Sequence, residues 1–98
     1  MKTIEPKEVE ARLSSGQPLH IIDVREVDEV QSGKIPTAVN IPLGLLEFRM
    51  NELDKSKEYI VVCHAGGRSA RAVQFLESQG YNVTNMNGGM LEWDGETE

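Results

Sequence analysis

Short apolar runs alternate along this chain with stretches of helical period. Residues 19–24, Leu-His-Ile-Ile-Asp-Val, are apolar at consecutive positions, the pattern of a strand covered on both faces. Residues 59–62, Tyr-Ile-Val-Val, form the clearest strand, with three β-branched residues in succession. Shorter strands are expected at Thr3-Ile4, at 38–41 between Pro36 and Pro42, and at 81–86. Pro6 suits the first turn of a helix, where its missing N–H has no partner anyway. Val9 and Leu13 then share one face, and Gly16 is the expected stop. Residues 26–32 predict a short helix ended by Gly33. Residues 43–53 predict another, with Leu46, Phe48 and Met50 among its apolar positions and Gly44 in its interior. The strongest helix is 69–79: Ala72, Val73, Phe75, Leu76 and Gln79 follow helical spacing, and Gly80 fits the left-handed position past its end. Gly88-Gly89 is a turn, and 90–93 begins a last short helix. Such alternation predicts an α/β fold, a largely parallel sheet with helices packed on its faces.

The chain has 98 residues, which predicts one domain over 1–98 with one core. It is 39% hydrophobic and 27% charged, the balance of a soluble protein. No apolar stretch approaches the ~20 residues that span a bilayer, and the first six residues lack the apolar region of a secretory signal. One cysteine cannot form an internal disulfide, so nothing requires an oxidising compartment, and a cytoplasmic location is expected. The net charge of -6 argues against a nucleic-acid partner, which lysine and arginine would serve. The acidic cluster Glu92, Asp94, Glu96 and Glu98 reads as solvated surface. Against this background Arg68 and Arg71 form a positive island beside Cys63.

That lone cysteine lies in the sequence Cys63-His64-Ala65-Gly66-Gly67-Arg68-Ser69, between the clearest strand and the strongest helix. Ligands of open parallel sheets collect beyond the carboxyl ends of the strands. The two glycines let the main chain curl and pass close to a ligand, and successive N–H groups can then converge on an anion. The helix N-terminus adds free N–H groups and partial positive charge. The nearest anion is the sulfur of Cys63, whose pKa should fall below the ordinary ~8.5 of a free thiol. A small domain should leave it in an open, shallow pocket. A buried structural cysteine needs neither the glycines nor the arginine. A metal site lacks its ligands, since His64 is adjacent to Cys63 and His20 is remote. No cofactor motif such as a dinucleotide-binding fingerprint is present.

Four ordered segments resemble the rhodanese family of sulfurtransferases: HIIDVRE at 20–26, SGKIPTAVNIP at 32–42, YIVVCHAGGRSARAVQFLESQGY at 59–81 and NGGMLEW at 87–93. The resemblance implies one rhodanese-like domain with a central five-stranded, mainly parallel sheet and helices on both faces. It implies that Cys63 takes sulfane sulfur from a donor such as thiosulfate, forms a persulfide, and passes the sulfur to cyanide or a thiol. The N–H groups of His64, Ala65, Gly66, Gly67 and Arg68 would cradle the persulfide, Arg68 would also attract an anionic donor, and Ser69 would open the helix and hydrogen-bond within the loop. Asp23 and Arg25 look structural, bracing neighbouring loops. His64 need not act as a base if the thiol is already ionised, and its imidazole is expected at the pocket mouth. Lys34 and Thr37 stand where the family often has histidine and glycine.

Two other readings stay open. Relatives of this fold that hydrolyse phosphate esters or reduce arsenate carry a loop one residue longer. Here four residues separate Cys63 from Arg68, with no acid among them and no second cysteine. A non-enzymatic interaction or sulfur-carrier module is the alternative, although this chain keeps both cysteine and loop. With no partner cysteine, a persulfide on Cys63 has to be taken by an external acceptor, a small thiol or a sulfur-accepting protein.

Overall fold

The computed structural model describes residues 1–98. Five strands, β1 (Lys2–Ile4), β2 (His20–Asp23), β3 (Val39–Asn40), β4 (Glu58–Val62) and β5 (Asn82–Met86), form one sheet in the order β1-β5-β4-β2-β3. Every pairing is parallel. The longest strands, β4 and β5, lie toward the middle, where both faces are covered. β4 carries a continuous apolar run, Tyr59 to Val62, suited to that place, while β5 buries Thr84 and Asn85 as well as Val83 and Met86. The register sets Ile21 against Ile60 and Ile22 against Val61. Alternation then sends Ile22, Val61 and Val83 to one face, and Ile21, Ile60 and Val62 to the other.

Four short helices flank the sheet: α1 (Pro6–Ser14), α2 (Val27–Gln31), α3 (Leu46–Arg49) and α4 (Gly67–Ser78). α4 buries Ala72, Val73 and Leu76 on the first face, and α1 buries Val9 on the second. Pro6 opens α1 as its sequence position predicts. α4 ends with the N–H of Gly80 on the carbonyl of Glu77 and that of Tyr81 on Leu76, both 3.0 Å, which satisfies its last carbonyls.

Three expectations are corrected. Residues 43–53 are not one helix: 3-10 turns Leu43–Leu45 and Met50–Glu52 flank the single α-turn of α3. Leu45 and Arg49, both at φ -106 with ψ near zero, break the α-helical geometry at the two junctions. One turn buries one side only, so Leu46 is buried while Phe48 is 85% exposed. The last helix is a 3-10 turn, Gly89–Glu92. Finally, α4 begins at Gly67, two residues before the expected start, so the loop after β4 is shorter than the sequence suggests.

Thr37 adopts φ 72, a left-handed conformation unusual for a β-branched residue. Its N–H donates to the Glu98 carboxylate, which also pairs with Lys34. Lys34 and Thr37 thus share one partner.

Candidate functional site

β2 and β4 are neighbours at the centre of the sheet, and the chain leaves them in opposite directions, through α2 to β3 and through α4 to β5. A parallel sheet opens a crevice at such a point, outside the carboxyl ends of the strands. Asp23 ends β2 there, and Cys63 follows β4.

Gly66 caps α4 with φ 104, a left-handed conformation that glycine adopts without strain. This bend turns the chain back over Cys63 within three residues. The N–H of Gly66 donates to Cys63 Sγ at 3.0 Å. Ser69 Oγ lies 3.2 Å from the same sulfur and 3.1 Å from the carbonyl of Gly66. The hydroxyl has one proton and two acceptors, and an ionised sulfur is the stronger of them. Burial pushes the thiol pKa up. Hydrogen bonding from the Ser69 hydroxyl, and from the N–H groups of Ser69, Gly66 and Ala65, outweighs it and holds the thiol below its ordinary value. Main chain and one hydroxyl, rather than a neighbouring base, therefore prepare the sulfur.

A second turn supports the loop from outside. The N–H of Met90 donates to the carbonyl of Cys63 at 2.8 Å, and that of Leu91 to His64 at 2.9 Å. This approach requires glycine at 89: a Cβ there would lie 2.5 Å from the Cys63 oxygen, and φ is +59. The Gly-Gly pair at 88–89 is thus the clamp that fixes the thiol loop.

Two arginine–carboxylate pairs surround the loop. Arg25 binds Asp23 through Nε at 3.0 Å and Nη2 at 2.7 Å, both residues buried. Its Nη2 also donates to the carbonyl of Gly33 at 2.8 Å, and Nη1 to that of Glu29 at 3.4 Å, so the pair ties β2 to the far end of α2. This bracing is the role expected of Asp23 and Arg25. Arg68, in contrast, grips Glu29 with both terminal nitrogens, at 2.6 and 2.8 Å, and each side chain is about one-third exposed. The positive island expected of Arg68 is therefore neutralised at contact. Glu29 escaped sequence reasoning because its partner lies 39 residues away. The capping box at the start of α2 was its only local signal: Glu29 accepts the N–H of Glu26 at 2.9 Å.

The structure brings Cys63, Ala65, Gly66 and Ser69 together around the sulfur. His64 and Gly67 are exposed, and the hydrogen bonds to Sγ come from neither of them nor from Arg68. Ser69 does not open α4 but sits in its first turn, buried, with its hydroxyl directed at the sulfur. The open, shallow pocket is also corrected: Cys63 is 1% exposed, packed in the core with α4 and crossed by the bend at Gly66. The larger surface hollows lie beside Trp93, about 580 Å³, and between α2 and the turn at Pro42 and Leu45, about 610 Å³. Neither is lined by residues 63–69. No group of three or more His, Cys, Asp or Glu side chains is placed to hold a metal ion, and no helix is long and apolar enough to cross a membrane.

Residues 5–96 match the family model described as a rhodanese-like domain. The whole chain is 40% identical to 95% of the Bacillus subtilis protein named "Putative sulfurtransferase YtwF". Another B. subtilis protein, named "Putative sulfur carrier protein YrkF", is 42% identical over 89% of this chain and 48% of its own length. The crystal structure of a rhodanese-like domain protein from Staphylococcus aureus superposes with a TM-score of 0.94 at 37% identity, covering 100% of this chain and 97% of that one.

Proposed function

The chain belongs to the rhodanese-like domain family, and we propose that it moves sulfane sulfur from a donor to a nucleophilic acceptor through a persulfide on Cys63. The observation that carries this reading is the convergence of the Gly66 N–H and the Ser69 hydroxyl on one sulfur atom. Relatives named for sulfur transfer and for sulfur carriage support it.

In this reading the Cys63 thiolate attacks the outer sulfur of a donor such as thiosulfate. A new S–S bond forms, the donor's S–S bond breaks, and sulfite leaves with the electron pair. The product persulfide is an anion like the thiolate it replaces, with its charge moved to the outer sulfur, and the N–H groups of the loop are the donors that would stabilise it there. Cyanide or a thiol then attacks the outer sulfur and returns Cys63 as thiolate. No proton transfer is needed in loading, so His64 has no obligatory acid–base task. The sheet and α4 cover Cys63 from below, so a donor reaches it from the loop side, where His64, Ala65 and Gly67 are exposed. A protein acceptor would meet the same exposed edge. The carrier reading shares the persulfide and differs only in lacking turnover with a small acceptor.

Intact mass after incubation with thiosulfate or another sulfane donor tests the reading. The expected result is a gain of one sulfur atom, removed by cyanide and absent in Cys63→Ala. No adduct with any sulfane donor would overturn it.

A further inference from the structure

The cation nearest the thiol loop is not free to meet a substrate. Arg68 gives both terminal nitrogens to Glu29. Glu29 is in turn fixed by the N–H of Glu26 on Oε1 and, through its main-chain carbonyl, by Arg25. Hydrogen bonds from Arg68 and then from the Glu26 N–H hold its carboxyl at about 2, so it is ionised throughout the physiological range. Charges near the mouth therefore cancel in pairs, Asp23 with Arg25 and Glu29 with Arg68. What remains is the sulfur of Cys63 and the Glu26 carboxylate, both close enough to act on Arg68. Arg71 is exposed and makes no ion pair, but it stands a helical turn farther along α4. A guanidinium neutralised at contact presents a dipole to an incoming anion, and a dipole attracts far less than a full charge.

We propose that Glu29 is a specificity-determining residue: by clamping Arg68 it withdraws the loop's cation and biases sulfur loading against dianionic donors. The proposal rests on the persulfide reading. Two probes report it. Thiosulfate is a dianion and loads sulfur as Cys63–S⁻ + S–SO₃²⁻ → Cys63–S–S⁻ + SO₃²⁻. Benzenethiosulfonate is a monoanion that loads sulfur in the same way and releases benzenesulfinate with the electron pair. Each gives up one sulfur to the thiolate, and neither step moves a proton. A change in the nucleophilicity of Cys63 affects both alike, whereas a change in local charge favours the dianion.

The experiment measures the second-order loading constant for each donor, by intact mass, at low and high salt. In the wild type, the constant for thiosulfate should rise with salt as repulsion is screened. Glu29→Gln should raise it roughly tenfold for thiosulfate and about threefold for benzenethiosulfonate, with thiosulfate loading now slowed by salt. Glu29→Gln combined with Arg68→Gln should return the ratio of the two constants to that of the wild type. A merely structural role for Glu29 would lower both constants together. The proposal is overturned if wild-type loading by thiosulfate is slowed by salt, which needs no variant, or if Glu29→Gln leaves the ratio unchanged. In either case a persulfide still forms. Failure of both donors to load sulfur on the wild type would instead overturn the persulfide reading and this proposal with it.

Discussion

Two loops leave the centre of the sheet side by side, and they are closed by opposite means. The loop after β2 is closed by side chains: the buried Asp23–Arg25 pair, with Arg25 reaching on to the carbonyls of Glu29 and Gly33. The loop after β4 is closed by main chain: Gly66 bends over the sulfur, and the turn at 88–91 locks the carbonyls of Cys63 and His64. A side-chain brace spends its hydrogen-bonding capacity on itself and leaves nothing for a ligand. The main-chain closure aims the Gly66 N–H at the centre of the loop, and here a thiol stands there. Neighbouring strand ends thus yield a support and the proposed reactive centre from the same topology.

The comparison breaks most plainly at the sulfur. Cys63→Ala should abolish sulfur loading, a loss beyond about a thousandfold, at a cost of only about 1 kcal/mol for the buried sulfur it removes. Loading that persists in this variant would place the chemistry elsewhere. The brace should behave in the reverse way. Asp23→Ala leaves Arg25 buried without its counter-ion and should cost about 3–5 kcal/mol in denaturant unfolding. A cost below about 1 kcal/mol would show that the brace is not needed. Gly89→Ala tests the clamp that joins the two kinds of closure. A Cβ among main-chain oxygens at a positive φ should cost about 2–3 kcal/mol and slow thiol alkylation as the loop shifts. Ser69→Ala is the mildest: it should cost about 1 kcal/mol and raise the thiol pKa, slowing alkylation at neutral pH without abolishing sulfur loading. An unchanged alkylation profile would leave the main chain alone responsible for the sulfur.

The strands and α4 were legible because their signals are local. Consecutive β-branched residues at 60–62 and helical spacing from Ala72 to Leu76 each announce an element within a few residues. The thiol loop was legible for the same reason, since its glycines, cysteine and helix start are contiguous. What the sequence hid is what depends on contact at a distance. The Arg68–Glu29 pair spans 39 positions. The clamp on the carbonyls of Cys63 and His64 comes from a turn more than twenty residues downstream, and Cys63 is buried where an open pocket was expected. The division of residues 43–53 rests on backbone angles at Leu45 and Arg49 that no side chain there dictates.

The rate of Cys63 alkylation as a function of pH tests the central claim most directly. A thiol stabilised as an anion by the loop should titrate with a midpoint below the ordinary ~8.5. Its contribution to stability should be fully present above that value and lost as pH falls through the lower midpoint. A midpoint at or above that of free cysteine, or a thiol that no reagent reaches in the folded protein, would contradict it.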